Sequence, residues 1–289
     1  MSTRFMTSSG IAVAGLSLWT QVASAGWVID QETKGREGHQ QVSVQSNRMK
    51  TVMLTPDGKP LNGVIIEADT KTITLVDYQQ QQYISATTQE YVQVMKEVRQ
   101  ALAPKLAEAM KKMKEAMKDK PPEQRAAMEQ MMKSQMAKLQ ASPQDCPEPP
   151  KVEVRKTEQK ETISGYPAVR YDVLSDGKPQ SEVWITKDIS VWKDFDPQKL
   201  QEFSADMAKM TACGGERGRG GILGSDPIFK LASEGYPVRT IDHGGSDVTV
   251  EVVKAENKSV AATEFQPPSG FARKTLQEMV APAFKGTSQ

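Results

Sequence analysis

Tyr83-Ile84-Ser85-Ala86-Thr87-Thr88-Gln89-Glu90-Tyr91 is where the hydrophobic period of the chain changes. Upstream, short apolar runs stand between turn signals: Gln41–Val44 with Val42 and Val44 on one face, then Pro56-Asp57-Gly58, Val64-Ile65-Ile66, Ile73–Val76 and Tyr83-Ile84. These read as a meander of short strands, too closely spaced for helical crossovers and therefore antiparallel. Downstream, Tyr91, Met95, Val98, Leu102, Leu106, Met110, Met113 and Met117 recur every three or four residues. That is helical spacing, and Thr87-Thr88-Gln89-Glu90 is a capping box at its start. Pro121-Pro122 stops this helix, and a second stripe of Met128, Met131, Met132, Met136 and Leu139 ends at Pro143, Pro147, Pro149 and Pro150. The expected product is a helical hairpin over residues 88–140, inserted between two runs of strands.

Strand patterning returns at Val152-Glu153-Val154. Val169, Tyr171 and Val173 oppose Arg170 and Asp172, Asp176-Gly177 marks a turn, and Glu182–Thr186 answers it. Asp196-Pro197 opens a helix with Leu200, Phe203, Met207 and Met210 on one stripe, ending at Gly214-Gly215. Asp226-Pro227 opens another, ending at Gly235. Strands at Val248–Val253 and Ser259–Phe265 and a short helix near Leu276 complete the expectation. The fold class is α+β: a single domain over residues 26–280, one antiparallel sheet carrying short covering helices, with a flexible tail at 281–289.

Arg4, the apolar run Gly10–Leu18 and Ala23-Ser24-Ala25 predict a signal peptide over residues 1–25, cleaved before Gly26. The apolar run is shorter than the roughly 20 residues a spanning helix needs, so no transmembrane segment is expected in the mature chain. No Cys follows the cleavage site, which argues against a lipidated terminus. The chain reads as periplasmic. Export gives the two cysteines a meaning: in an oxidising compartment Cys146 and Cys213 are expected to form a structural disulfide.

With 37 Lys+Arg against 36 Asp+Glu, the chain lacks the basic surplus of a nucleic-acid binder. Two histidines exclude schemes that need several. Neither His39 nor His243, even beside Asp242, has a nucleophile signature, so no catalytic residue and no cofactor is assigned and an enzyme is not expected. The glycine run from Gly214 to Gly224 lacks the Lys-Ser/Thr ending of a phosphate loop and follows a helix, not a strand. Asn257-Lys258-Ser259 fits a glycosylation sequon, a frequent triplet that carries no weight beside a bacterial-looking signal segment.

Eight of the 15 Met fall between Met95 and Met136, so the hairpin is the unusual surface of this chain. Met is flexible and polarisable and suits an apolar surface that adapts to its partner. Met110, Met113, Met117, Met128, Met131 and Met132 are therefore the candidate contacts for an apolar ligand. Soft thioethers also bind Cu(I), with Met110, Met113, Met128 and Met131 as the alternative metal set; no His or Cys is interleaved with them. Between Lys96 and Lys138 stand 11 Lys/Arg and six Asp/Glu. That surplus fits a solvated face, with docking of a partner protein through the hairpin as a further alternative.

Three stretches carry a family resemblance: Ile163-Ser164-Gly165-Tyr166-Pro167-Ala168-Val169-Arg170-Tyr171-Asp172-Val173, then Ser181-Glu182-Val183-Trp184-Ile185-Thr186, and Glu264-Phe265-Gln266-Pro267-Pro268-Ser269-Gly270-Phe271. Together they resemble exported bacterial proteins of domain-of-unknown-function family 4412, itself similar to the LolA/LolB/LppX superfamily of periplasmic lipoprotein carriers. The resemblance implies a half-open antiparallel barrel with helices over a concave apolar face able to hold acyl chains. The Met/Lys hairpin is a departure from the carriers. The combined expectation is a non-enzymatic periplasmic protein that binds a lipid or acyl chain.

Overall fold

The capping box at the period switch forms as its sequence dictates. In the computed structural model, which describes residues 25–35, 38–116, 151–212, 231–243 and 248–278, the Thr87 N–H donates to Glu90 Oε2 at 2.7 Å and the Glu90 N–H donates to Thr87 Oγ1 at 3.2 Å. This reciprocal pair satisfies two amides of the first helical turn. It also holds the Glu90 carboxyl below the usual range, chiefly through the backbone donor.

Among the described residues, twelve strands form one sheet. They are β1 (Ala25–Lys34), β2 (Gly38–Gln45), β3 (Arg48–Leu54), β4 (Pro60–Glu67), β5 (Thr72–Asp77), β6 (Gln82–Thr87), β7 (Val152–Ile163), β8 (Tyr166–Ser175), β9 (Lys178–Thr186), β10 (Tyr236–Asp242), β11 (Val248–Ser259) and β12 (Ala272–Lys274). Helices α1 (Thr88–Ala116) and α2 (Pro197–Ala212) accompany them, with 3₁₀ turns η1 (Val191–Asp194) and η2 (Ala262–Phe265). The spatial order β12-β6-β5-β4-β3-β2-β1-β11-β10-β9-β8-β7 joins both halves of the chain through the β1–β11 pair. The sheet is curved and not closed, with β12 and β7 as its free edges.

The turns follow from their residues. Asp176 and Gly177 both have positive φ, as the two-residue β8–β9 hairpin requires. At Gly235 (φ +146°) any side chain would meet the Thr186 carbonyl oxygen at 2.0 Å, so only glycine lets β10 begin beside β9 there. Asp196 caps α2 by accepting from the Gln198 N–H at 2.9 Å, as Asp196-Pro197 predicts.

Several expectations are corrected. The pairing is antiparallel except at β12, which runs parallel to β6. Ser259–Phe265 is not a strand: β11 ends at Ser259, and the chain turns through η2 to bury Val260 and Phe265 against Ile65 and Val76. The sequence reading omits β1, β3, β10 and β12. Of the hairpin over residues 88–140, only α1 is described; it continues past Pro104, and residues 117–140 lie outside the described residues, as do 1–24, Cys146, Cys213 and 281–289. The helix expected from Asp226 is described only as its last turn, residues 231–234. Leu276 does open a helical turn, capped through Thr275 and Glu278.

Both faces of the sheet carry core. On one, Ile73, Ile84 and Ala86 pack under Tyr91 and Val94 of α1 and Phe203 of α2, while Ile29, Val42 and Val44 pack with Val191 of η1, Phe195 and Leu200. On the other, the segment after β11 covers Ile65 and Val76. Leu200 and Phe203 seat α2 on the sheet, and long-range polar contacts tie it to the β4–β5 turn. Lys71, in the β4–β5 turn, pairs with Glu202 at 3.1 Å and Asp206 at 3.5 Å, and Lys199 pairs with Asp69. The chain leaving β9 therefore returns across the sheet to the β4–β6 end.

Candidate functional site

Residues paired across an antiparallel ladder share a face, so the register defines rows of side chains on the helix-covered face. One row runs Ile84, Leu75, Val64, Thr51, Val42, Ile29. Its two ends are buried, Ile84 beneath α1 and α2, and Val42 with Ile29 beside η1. Its middle is not. Leu75 and Thr51 are half-buried and Val64 is 37% exposed. In the next row Met53, between Asn62 and Gln40, is 49% exposed. The helices thus cover this face at both ends and leave an apolar strip on β3, β4 and β5 open.

Beside the strip stands a neutral polar relay. Gln40 Nε2 donates to Gln31 Oε1, and Gln31 Nε2 donates to the Tyr236 hydroxyl at 3.3 Å. Gln31 and Tyr236 are buried, and burial pushes the Tyr236 hydroxyl well above the ordinary tyrosine range. The relay thus stays uncharged at neutral pH and orients amides without supplying a base or a nucleophile. Tyr91 is similar: burial raises its hydroxyl to about 12, and its oxygen has no hydrogen-bond partner among the described residues.

Met110 and Met113 fall on α1, whose described length places them in its last turns; Met117, Met128, Met131 and Met132 lie outside the described residues. Cys146 and Cys213 also lie outside them. The strip residues Met53, Val64 and Leu75 were not among the sequence candidates. A strand row shows as a site only when the cover above it is known. His39 pairs across to Leu54 in the ladder, and His243 sits 3.2 Å from Glu182, which also pairs with Arg170 at 3.1 Å. Among the described residues, no cluster of His, Cys, Asp and Glu could hold a metal ion, and no helix is long and apolar enough to cross a membrane.

An open, curved sheet with helices over part of one apolar face defines the class of protein. The chain belongs to the family described as Domain of unknown function (DUF4412), which it matches over residues 88–271. No curated protein matches it. Similar solved structures include an uncharacterized conserved protein from Thermus thermophilus, with 10% identity, a TM-score of 0.40, and coverage of 87% of this chain and 91% of that one. They also include MucB, with 10% identity, a TM-score of 0.36, and coverage of 86% of this chain and 60% of that one. In the Pseudomonas aeruginosa MucA/MucB complex the match has 8% identity, a TM-score of 0.34, and coverage of 86% and 57%. The chain spans about three fifths of the length of MucB.

Proposed function

We propose that this chain is a non-enzymatic, exported binding protein that holds an apolar ligand, a lipid or an acyl chain, against the strip on β3–β5 in the periplasm. The observation that carries the reading is the row in which covered apolar residues flank an uncovered Val64, with Met53 open beside it. An apolar chain laid there removes that surface from water, and burial at about 25 cal/mol per Å² drives binding with few polar contacts. Gln40, half-buried beside Met53 and held by the buried Gln31–Tyr236 pair, supplies an uncharged hydrogen-bonding group at the rim. Residues 1–25 act as the export signal on this reading, and Cys146 with Cys213 forms a disulfide in the oxidising compartment.

Native mass spectrometry of the protein purified from its own host, together with titration by a fluorescent fatty acid, tests the proposal. The expected result is a co-purifying lipid and saturable binding. A bare protein that also ignores the fluorescent probe sinks it.

A further inference from the structure

We infer that a second site, distinct from the strip, lies at the β7 edge of the sheet and takes the anionic headgroup and adjoining methylenes of a single-chain amphiphile. Its origin is an irregularity in β7. Val152–Lys156 and Lys160–Ile163 each pair in step with β8, but Thr157, Glu158 and Gln159 between them stand against the single residue Arg170. The bulge is secured from both sides: Thr157 Oγ1 donates to the Arg170 carbonyl at 3.0 Å, and Arg170 Nη1 donates to Gln159 Oε1 at 3.0 Å. Bulges held in this way re-aim side chains rather than mark a defect.

The bulge separates Lys156 from Lys160, and between them opens a cavity of about 420 Å³, within the roughly 300–1,000 Å³ usual for ligand sites. Val169, Tyr171 and Ile185 supply its apolar lining, two of them paired across β8–β9. The wall is pre-ordered. The Tyr171 hydroxyl donates to Glu234 Oε2 at 3.1 Å, and Lys156 Nζ lies 5.5 Å from the Tyr171 ring centre and 3.8 Å from the same carboxylate.

The lining holds three lysines and three carboxylates, but its ion pairs leave two of the lysines without a partner among the described residues. Glu161 is held by Arg239 at 2.8 Å, which also pairs with Glu251 at 2.9 Å, and Glu234 is held by Tyr171 and Lys156. Lys160 and Lys187 line the cavity with no ion-pair or hydrogen-bond partner among the described residues, and Asp188 is the carboxylate left beside them. Two ammonium groups above an apolar floor match one monoanion carrying a short hydrocarbon chain.

The experiment titrates the full mature chain with decanoate, decanol and acetate, following Val169 and Tyr171 by NMR and affinity by calorimetry. Decanoate is expected to perturb both residues and to bind about tenfold more tightly than decanol, with a preference that shrinks at high salt. Lys160→Gln with Lys187→Gln, two exposed positions, is expected to abolish that preference while leaving decanol unchanged. The strip variant Met53→Gln with Val64→Thr is expected to leave the preference intact, which separates this site from the proposed function. Perturbation by acetate as strong as by decanoate, equal binding of decanol and decanoate to the wild type, or an unaltered preference in the double Lys variant overturns the inference.

Discussion

Replacing Met53 with Gln and Val64 with Thr keeps each side chain near its original size and makes both polar. The magnitude follows from exposure. Full burial of a Val or Met side chain contributes roughly 1.5–3 kcal/mol. With 49% of Met53 and 37% of Val64 open to solvent, a ligand lying on the strip covers a little under one full side chain between them. Losing that contribution weakens binding by about 2 kcal/mol, roughly thirtyfold in Kd. The folded chain changes little by comparison, since neither side chain is fully buried and neither new polar group lacks access to water. The assay is equilibrium titration with a fluorescent fatty acid, beside a thermal melt of both proteins. A thirtyfold weaker Kd with nearly unchanged Tm is the expected outcome. Unchanged affinity in the double variant refutes the placement of the ligand, because no other contribution offsets a loss of that size.

Tyr91→Phe removes a buried hydroxyl that has no partner among the described residues, so it is expected to hold or raise stability, by up to about 1 kcal/mol in urea unfolding. The wild type is also expected to lose stability above pH 10. The unfolded tyrosine ionises near 10 and the folded one only near 12, so alkali favours the unfolded chain across that window, and Tyr91→Phe flattens the slope. Gly235→Ala forces a Cβ against the Thr186 carbonyl in a left-handed backbone and is expected to cost about 3 kcal/mol or more in the same assay; a loss under 1 kcal/mol contradicts the close approach. Intact mass of the exported protein is expected to place its first residue at Gly26 and to show no alkylation of Cys146 or Cys213 before reduction; ready alkylation of both removes the disulfide.

Local chemistry was legible wherever neighbouring residues settle the structure. The Thr87–Glu90 box, the Asp196 cap, the Asp176-Gly177 hairpin and the alternation of Val169, Tyr171 and Val173 act within a few residues of chain, and each forms as read. Two of the strands that escaped notice, β1 and β3, have buried positions that are polar and satisfied from afar, while the three residues of β12 are all exposed. In β1 the inward Gln31 is answered by Gln40 and Tyr236. In β3 the buried Lys50 is answered by Glu264 at 2.9 Å, more than two hundred residues away. A period-two hydrophobic signal is broken at such positions, although the physics of burial is met.

Period and capping were enough to settle a sheet interrupted by helices, because these depend on each segment alone; the family resemblance came from three short stretches, Ile163–Val173, Ser181–Thr186 and Glu264–Phe271. The open strip and the edge cavity depend instead on contacts between segments far apart in the chain. α2 places Leu200 in the β1–β2 core and Phe203 in the β5–β6 core, and Lys71 and Lys199 tie it to the β4–β5 turn. The cavity lies beside the point where three residues of β7 face one of β8, and its lining comes from β7, β8, β9 with Lys187 and Asp188 after it, and Glu234. Burial is a property of pairs of elements, so which apolar row stays uncovered was decided only when the sheet and its helices came together.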